Sequence, residues 1–288
     1  MLPRSKIRCC PLFPGGLGGL WHYAGRTTVT ALDKADALRR RKGGRPIAAL
    51  TAYDYPTARL LDEAGVDMLL VGDSLGMVVL GYPDTTHVTL GHMLHHIAAV
   101  ARAQPRAFIV GDFSIGTYDT PAQALANAQC LVAAGAEAVK LEGGCNQAEK
   151  VRAITAAGIP VVGHLGMLPQ SVIEEGGYHK TGKTPAQAAA ILADAEALVA
   201  AGVCAIVLES VLPATARWVT AQIAVPTIGI GSGEDTCDGE VAVVDDLIGS
   251  FPWFVPPFAR PEAHVADAIR EAAAKYVARV TLLSKASP

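Results

Sequence analysis

The sequence predicts an α/β protein folded as a (β/α)8 TIM barrel. From Arg45 onward, short apolar runs alternate with helical patterns, and the composition does not change along this part of the chain. Runs of this kind, rich in β-branched residues, are typical of buried parallel strands. Several of them end on an ionisable residue, and barrels carry their active sites at the carboxyl ends of the strands. The 288 residues leave room for seven or eight such units in one barrel.

Eight apolar runs are predicted to be the strands of this barrel. They are short, and glycine, proline or polar residues that favour turns lie between them and the neighbouring segments. The last run has the weakest pattern of the eight. The predicted strands cover residues 46–51, 67–72, 106–111, 137–141, 159–163, 203–208, 225–230 and 240–244.

The segments between these runs have the pattern of helices. Four of them begin with proline, which is preorganised for the first helical turn. Four end just before a glycine, which takes the left-handed conformation after a helix without a steric penalty. The predicted helices cover residues 56–64, 90–103, 121–134, 146–157, 185–201 and 213–223. A further helix is predicted at 261–283, with an apolar stripe that would pack on the barrel or on a second subunit.

The beginning of the chain differs from the barrel region. Residues 1–27 combine Arg4, Lys6 and Arg8 with a stretch rich in glycine and proline. We predict a disordered tail there, and the alternatives are an organelle-targeting peptide or a start codon placed too far upstream. Residues 28–288 are predicted to form a single barrel domain with a C-terminal helix.

Composition and charge exclude several classes of protein. The formal net charge is −3, whereas a nucleic-acid-binding protein would normally present a basic surface. No apolar stretch approaches the roughly 18 residues that a membrane-spanning helix requires. The six cysteines are scattered and form no CxxC pair, which is typical of a reducing compartment. The sequence therefore predicts a cytoplasmic protein without a nucleic-acid or membrane partner.

Three carboxylates close neighbouring predicted strands. Asp73 and Asp112 directly follow their apolar runs, and Glu142 follows the run that ends at Leu141. Carboxylates that converge at a barrel mouth repel one another unless a cation lies among them, and oxygen ligands suit Mg²⁺ or a similar hard cation. The alternative is that each carboxylate caps a turn or pairs with a lysine or arginine. Three of them on nearby strands favour the metal site.

Lys140 lies two residues before Glu142, so both side chains would face the same side of a regular strand. Beside a metal, the lysine would bind a substrate carboxylate or stabilise developing negative charge. A desolvated lysine would instead form a Schiff base with a carbonyl substrate, and a structural ion pair is the third possibility. The spacing does not separate these three roles.

Two further strand ends carry groups suited to proton transfer or substrate binding. Glu209 would be a general base if its carboxylate were partly buried, or else a group that orients a ligand. His164 is a candidate substrate hydrogen-bond donor, metal ligand or packed core histidine. Taken together, the residues predict a metal-dependent barrel enzyme that acts on a small, oxygen-rich acid through a stabilised enolate.

Other motifs carry weaker signals. The glycine loop at 229–233 would bind phosphate, or would be a tight turn that a ligand or lid approaches closely. The loops after Asp73 and after His164 are long enough to be lids. His92 and His96 share a helix face, but the glutamate of an HExxH metal motif is absent, which favours packing or surface roles.

The residues singled out above lie in motifs that resemble the ketopantoate hydroxymethyltransferase family. The motifs occur in the order found in that family, over about residues 50–249, so the match is specific. They are Leu50-Thr51-Ala52-Tyr53-Asp54-Tyr55-Pro56, Val71-Gly72-Asp73-Ser74, Val139-Lys140-Leu141-Glu142-Gly143-Gly144, Gly163-His164-Leu165-Gly166, Pro169-Gln170-Ser171, Gly176-Gly177-Tyr178, Leu208-Glu209 and Ile228-Gly229-Ile230-Gly231.

The resemblance implies an activity and a fold type. It implies a barrel of the phosphoenolpyruvate/pyruvate type that transfers a hydroxymethyl group from 5,10-methylenetetrahydrofolate to 3-methyl-2-oxobutanoate. The products would be 2-dehydropantoate and tetrahydrofolate, in pantothenate biosynthesis. It also implies a large homo-oligomer, often a decamer of paired pentamers.

The resemblance also implies roles for individual residues. The Mg²⁺ site is expected at Asp73, Asp112 and Glu142, directly or through water. The keto-acid contacts are expected at Asp73, Ser74, Asp112 and Lys140, with His164 as a further candidate. Glu209 is expected to accept the proton.

The sequence departs from the family pattern at several positions. Residues 113–118 read Phe-Ser-Ile-Gly-Thr-Tyr instead of Leu-Pro-Phe-Gly-Ser-Tyr, Glu240 stands in place of glutamine, and Asp245 stands in place of histidine. The proline-rich stretch 251–261 is also atypical. These departures leave the expected metal and base positions intact, and they bear on folate affinity, lid packing and subunit contacts.

Two alternatives to the transferase remain at this level. One is a related metal-dependent lyase that cleaves a 2-oxo or 2-hydroxy acid through a similar enolate. The motifs at 169–171 and 176–178 favour the transferase over it. The other is a catalytically silent barrel, which would not require five retained ionisable groups at the strand ends.

Overall fold

The computed structural model describes residues 29–172, 177 and 179–283. The strands are β1 (Ile47–Thr51), β2 (Met68–Val71), β3 (Phe108–Asp112), β4 (Ala138–Glu142), β5 (Val161–Gly166), β6 (Ala205–Glu209), β7 (Thr227–Ile230) and β8 (Gly239–Ala242). They form a closed parallel barrel in which each strand pairs with the next along the chain and β8 pairs with β1. The predicted (β/α)8 barrel is confirmed, whereas the tail predicted at residues 1–27 lies outside the described residues.

Helices connect the strands and surround the barrel. They are α1 (Ala31–Arg39), α2 (Tyr55–Ala64), α3 (Leu75–Val78), α4 (Leu90–Ala101), α5 (Pro121–Ala134), α6 (Ala148–Ala156), α7 (Pro185–Ala201), α8 (Pro213–Gln222), α9 (Val244–Ile248) and α10 (Val265–Leu283). The sequence did not predict α1, α3 or α9. The last helix begins at Val265 rather than at residue 261, because Glu262 still donates a backbone hydrogen bond to Leu247 of α9.

Side-chain caps and left-handed glycines set the ends of several helices. Thr120 accepts a hydrogen bond from the Gln123 N–H at 3.2 Å, and Thr184 accepts one from the Gln187 N–H at 3.2 Å. These bonds satisfy backbone donors that have no partner inside the first helical turn. Gly135 ends α5 with a φ of 116°, as its place in the sequence predicts.

The barrel wall separates two apolar cores, because successive strand residues face opposite sides. One core lies between the strands and the helices. The other fills the barrel and includes Ile47, Ala49, Met68, Leu70, Phe108, Val110, Ala138, Val162, Ala205, Val207, Ile228 and Val241. Asp112, Lys140, His164 and Glu209 each lie two residues beyond one of these inner residues. Strand alternation therefore points these four side chains into the barrel, above its apolar filling.

Helix α1 closes the end of the barrel where the strands begin. Ala35 and Leu38 are buried and belong to the inner core. Just beyond α1, Lys42 Nζ lies 2.9 Å from the carboxylate of Asp238, and the Thr227 N–H donates to the same carboxylate at 2.9 Å. Asp238 immediately precedes β8 and Thr227 begins β7, so these contacts bind the α1 region to the amino ends of the strands. The carboxyl ends of the strands, at the opposite end of the barrel, are therefore where an active site can open to solvent.

The outer faces of β1 and β8 are covered less than those of their neighbours. Ala48 and Glu240 pair with each other and are both exposed, and Leu50 and Ala242 beside them are only half-buried. A groove of about 580 Å³ runs along these four residues. Parallel strands are normally covered on both faces, so this groove is a gap in the helical layer of the described chain.

Helix α10 does not fill that gap. Its side chains from residue 267 to 282 are all exposed, including Ile269, Tyr276, Val277 and Val280. Among the described helices, α10 included, none is both long and apolar enough to cross a membrane. The helix therefore presents an apolar stripe that nothing in the described part of this chain covers.

Candidate active site

A cavity of about 400 Å³ opens at the carboxyl ends of the strands. The seven site residues expected from the sequence all line it: Asp73, Ser74, Asp112, Lys140, Glu142, His164 and Glu209. They come from the turn after β2 and from β3, β4, β5 and β6, and these strands are consecutive neighbours in the barrel. The structure therefore gathers into one cavity residues that are up to 136 positions apart in the sequence (209 − 73).

A buried ion pair lies at the centre of the site. Lys140 Nζ is 2.5 Å from Asp112 Oδ2, and the two side chains are only 5% and 1% exposed. The Asp73 N–H also approaches Asp112 Oδ2, at 3.4 Å. Such a pair is separated from water and acts in a low effective dielectric, where charge interactions are strong.

Burial and mutual repulsion make the two aspartates harder to ionise. Desolvation, followed by repulsion from Asp112, raises the pKa of Asp73 well above its usual value. Desolvation also raises the pKa of Asp112, although the nearby Lys140 ammonium opposes that change. A cation placed between these carboxylates would favour their charged forms.

Lys140 is held in its charged form. Burial disfavours the ammonium, but attraction from Asp112, Asp73 and Glu142 outweighs that effect and raises the pKa of Lys140 above its usual value. A Schiff base requires a neutral amine. The surroundings of Lys140 therefore favour a cationic, hydrogen-bonding role over Schiff-base chemistry.

His164 lies between two carboxylates. Its Nδ1 is 3.3 Å from Glu142 Oε1, and its Nε2 is 3.1 Å from Glu209 Oε2. Both are ion-pair distances, although neither contact has the alignment of a hydrogen bond. Burial and the Lys140 ammonium disfavour the charged ring, but the two carboxylates outweigh them and raise the pKa of His164 to about 9. The two carboxylates therefore favour the charged form of the His164 ring, which lies between Glu142 and Glu209.

Gln170 ties two of the carboxylates to the loop after β5. Its backbone N–H donates to Glu142 Oε2 at 3.0 Å, and its side-chain Nε2 donates to Asp73 Oδ2 at 2.9 Å. The same Nε2 donates to the Phe113 carbonyl, and Gln170 Oε1 accepts from the Tyr118 hydroxyl at 2.7 Å. The sequence motif that contains Gln170 was recognised, but this positioning role was not, because it depends on contacts between distant loops.

Ser74 and His96 of α4 both contact Tyr53. The Tyr53 hydroxyl and Ser74 Oγ are 2.9 Å apart, which holds Ser74 at the edge of the cavity. His96 Nδ1 lies 2.7 Å from the Tyr53 carbonyl oxygen. His96 therefore packs against the segment that positions Ser74, in line with the packing role that the sequence favoured.

The two long loops are partly ordered around the cavity. The loop after Asp73 contains α3 and a 3-10 turn, Thr85–His87, and its residues Met77, Val78 and Thr85 line the cavity. The loop after His164 contains the 3-10 turn Pro169–Ser171. Residues 173–176 and 178, which include two residues of the Gly176-Gly177-Tyr178 motif, lie outside the described residues. Closure of these loops as lids stays a prediction.

The glycine loop after β7 allows a close approach. A Cβ placed on Gly231 would lie 2.9 Å from the ring of Phe258. The glycine therefore lets an aromatic side chain of the chain itself reach the backbone. Of the two interpretations that the sequence left open, the close-approach one accounts for this geometry.

The site has the donor types of a magnesium site but not a complete set of ligands. Asp112 Oδ1 and Glu142 Oε1 are buried without a hydrogen-bond partner. Within residues 29–172, 177 and 179–283, however, no three His, Cys, Asp or Glu side chains are already grouped as a metal cage. Mg²⁺ usually keeps several waters or takes substrate oxygens and needs few protein carboxylates, so the residues present fit such an ion. The metal site at Asp73, Asp112 and Glu142 stays a prediction.

The charge state of His164 can be tested directly. In metal-free protein we expect its ring, followed by NMR of nitrogen-15-labelled histidine, to titrate near pH 9, and Glu209→Gln to lower that pKa because one of the two carboxylates is lost. Since the pKa exceeds the usual value of 6.5, the stability that the charged ring contributes is present below pH 6.5 and is lost as the pH rises through about 9. Glu149→Gln, on the exposed side of α6, is the control. A pKa that Glu209→Gln does not move would contradict this assignment.

Comparisons with known proteins agree with the fold and the motifs. The family model described as ketopantoate hydroxymethyltransferase matches residues 31–284. The 3-methyl-2-oxobutanoate hydroxymethyltransferase of Ignicoccus hospitalis is 54% identical over 246 residues, which are 85% of this chain and 93% of that protein.

Solved structures with low sequence identity share the barrel. Phosphonopyruvate hydrolase in complex with oxalate and Mg²⁺ has a TM-score of 0.59 at 16% identity, covering 87% of this chain and 88% of that one. The 2,3-dimethylmalate lyase of the PEP mutase/isocitrate lyase superfamily has a TM-score of 0.58 at 21% identity, covering 86% and 87%. These two structural similarities establish the fold alone. The family-model match over residues 31–284 establishes the family. The chain belongs to the ketopantoate hydroxymethyltransferase family.

Proposed function

We propose that this protein transfers a hydroxymethyl group from 5,10-methylenetetrahydrofolate to 3-methyl-2-oxobutanoate, in pantothenate biosynthesis. The products are 2-dehydropantoate and tetrahydrofolate, and one water is consumed. The observation that carries the proposal is the single cavity in which buried Lys140 and three carboxylates face the Glu209–His164 pair. Family membership and the relative from Ignicoccus hospitalis, which is named for this reaction, support it.

The keto acid is proposed to bind through the polar side of the cavity. The charged Lys140 ammonium attracts an anionic carboxylate and can donate hydrogen bonds to it. Ser74, held by Tyr53, offers a hydroxyl at the same end. Asp73, Asp112 and His164 complete this side of the proposed substrate site.

Glu209 is proposed to remove the proton at C3 of the keto acid. Its side chain is 13% exposed and reaches into the cavity from the end of β6, where His164 Nε2 lies 3.1 Å away. His164 thus positions the carboxylate, and loss of the C3 proton leaves an enolate whose negative charge Lys140 can stabilise. The methylene bridge of the folate opens at one of its two C–N bonds, the nitrogen that leaves takes a proton, and C3 bonds to the freed carbon, which stays attached to the second nitrogen. Water finally replaces the folate nitrogen on that carbon, which releases tetrahydrofolate.

A divalent cation, Mg²⁺ in the first place, is proposed as cofactor. Asp73, Asp112 and Glu142 would hold it, directly or through water. When bound, it would supply Lewis-acid stabilisation of the negative charge that develops on the substrate. Asp112 Oδ1, which is buried and accepts no hydrogen bond, supports this proposal, as does the raised pKa of Asp73, which desolvation and repulsion from Asp112 cause.

The lyase alternative has less support. It would use the same carboxylates and the same enolate, and the structural neighbours with that fold include a lyase. Those neighbours are only distantly related in sequence, whereas the transferase relative is 54% identical.

We also propose that the protein is a homo-oligomer, with a decamer as the size that the family resemblance implies. The exposed stripe on α10 and the groove along β1 and β8 support a second copy as partner. The stripe on α10 is apolar and favours burial, whereas the groove also carries charged residues such as Glu240 and Arg260. A monomer leaves both surfaces in water.

Replacing the proposed base should stop the first chemical step. In deuterated water with Mg²⁺, wild-type protein should exchange the C3 proton of 3-methyl-2-oxobutanoate, as followed by proton NMR. Glu209→Gln should slow this exchange by about 10²–10⁴-fold, since it removes the general base. Glu149→Gln is the control with an unchanged cavity. Undiminished exchange in Glu209→Gln would reject Glu209 as the base, and turnover of the keto acid to other products without the folate would favour the lyase.

Removing one proposed metal ligand should weaken cation binding. Asp112→Asn should raise the Mg²⁺ concentration for half-maximal exchange by about tenfold or more, because a charged ligand is lost. Binding of Mn²⁺, measured by electron paramagnetic resonance, gives a readout that does not depend on activity. Asp73→Asn provides a second variant in case loss of the Lys140 partner prevents folding, and Asp267→Asn on α10 is the control. Unchanged Mn²⁺ binding in both folded variants would contradict the proposed site.

Charges on the α10 stripe should reduce the assembly size. The double variant Ile269→Asp/Val280→Asp places two carboxylates where a neighbouring subunit would bury apolar side chains, at a cost of several kcal/mol per contact. We expect a smaller molecular mass by multi-angle light scattering, with an unchanged circular dichroism spectrum. Glu271→Gln, on the same helix, should leave the mass as it is. A double variant with the wild-type mass would show that this stripe does not hold the subunits together.

A further inference from the structure

We propose that an aromatic wall, formed by Phe251, Phe254 and Phe258, binds the flat ring system of the one-carbon donor. All three side chains line the same cavity as the ionisable groups. The inference deepens the proposed function, since it assigns a binding surface to the folate and thereby separates it from the keto-acid site.

The cavity has a polar side and an apolar side, and the order of the strands places them apart. Most of its ionisable groups come from the turn after β2 and from β3 to β6. From β7 onward the lining consists of apolar side chains and one ionisable group, Asp246 of α9. The apolar residues are Ile230 at the end of β7, Val241 and Val243 at the end of β8, and Phe251, Phe254, Pro256, Pro257 and Phe258. Because β7 and β8 follow β6 in the closed barrel, the aromatic wall continues the apolar side.

The wall leaves aromatic surface open to the cavity and solvent. Phe254 is 50% exposed and Phe258 is 41% exposed. Exposed apolar groups next to polar ones commonly mark a binding surface. The cavity volume of about 400 Å³ lies within the range of pockets that hold drug-sized ligands. This volume is larger than a small keto acid alone would fill.

The segment that carries the wall is fixed at both ends. At its start, the Ser250 N–H donates to the Asp245 carbonyl at 3.0 Å, and at its end the Glu262 N–H donates to the Leu247 carbonyl at 2.7 Å. Between these points Pro256 and Pro257 restrict the backbone. A surface that is already rigid loses little entropy when a ligand binds.

Phe258 is held in addition by the glycine loop after β7. Its ring packs against Gly231, where a Cβ would come within 2.9 Å. Arg260, two residues later, forms an ion pair with Glu234 of the turn that follows the same loop. The wall is therefore attached to the barrel next to β7, whereas Lys140 lies on β4, three strands away.

The chemistry of the wall selects the donor rather than the acceptor. Phenylalanine offers no hydrogen-bond donor or acceptor side chain, so it gains nothing from the carboxylate and oxo group of the keto acid. Aromatic faces do attract other flat rings, in offset or edge-to-face contact. A tetrahydrofolate has such ring systems on both sides of its one-carbon unit. Seated on the wall, it would direct that unit towards the polar side.

The test separates the two half-sites. Phe254→Ala should raise the KM for 5,10-methylenetetrahydrofolate and the Kd for tetrahydrofolate, the latter measured by calorimetry, by about tenfold. Exchange of the C3 proton of 3-methyl-2-oxobutanoate, which needs no donor, should keep its wild-type rate. Phe254→Tyr should restore donor affinity because it retains the ring. Trp218→Ala on α8 is the matched control, since Trp218 is 41% exposed and is not part of the cavity lining.

Several results would overturn the inference. Donor KM and Kd that stay at wild-type values in both Phe254→Ala and Phe258→Leu would do so. A raised KM for the keto acid with unchanged donor affinity would also do so, because it would place the acceptor's isopropyl group on the wall. If wild-type protein neither exchanges the C3 proton nor forms 2-dehydropantoate, it is the proposed function that fails. That outcome is distinguishable because tetrahydrofolate binding is measured separately.

Discussion

The site depends on one constraint, which is that several carboxylates must remain buried beside a single lysine. Lys140 contacts Asp112 directly and lies among Asp73 and Glu142, all of them nearly inaccessible to solvent. Burying one of these charges alone would cost several kcal/mol, so the lysine and the carboxylates require one another. His164 extends the same arrangement, because its charged ring offsets Glu142 on one side and Glu209 on the other. The ionisable groups are therefore best understood as one coupled set rather than as separate catalytic residues.

The order of residues along each strand explains why this set could be anticipated. A barrel strand alternates between inner and outer faces, so Val110 predicts the orientation of Asp112, and Val207 predicts that of Glu209. The sequence therefore predicted which strand ends carry the site. It could not predict that Gln170 would hold Asp73, or that Phe251, Phe254 and Phe258 would line the cavity, because those contacts depend on how loops with no periodic pattern fold over the barrel. The individual roles assigned to the site residues stay predictions for the same reason.

The barrel could be predicted from local sequence patterns, whereas one helix and the placement of another could not. Prolines and left-handed glycines marked most helix ends, and strand boundaries shifted only slightly. The sequence analysis did not predict α1, although Thr30 and Asp33 form a capping box at its start. The contacts that fix α1 on the barrel, from Lys34 to Glu137 and from Arg39 to Gly202, join distant parts of the sequence. Helix α10 was predicted, but its projection away from the barrel was not. An amphipathic stripe shows that a helix needs a partner, and it does not show which surface provides one.

The helix at the amino ends of the strands has a consequence for how the protein can change. Lys34 of α1 and Lys42 just beyond it form ion pairs with Glu137 and Asp238 at this end of the barrel. The apolar core inside the barrel separates them from the ionisable groups of the cavity. Substitutions that strengthen or weaken these ion pairs should therefore alter thermal stability and leave turnover at moderate temperature nearly unchanged. Adaptation to a hotter or colder habitat can therefore proceed at one pole of the molecule, independently of selection on chemistry at the other.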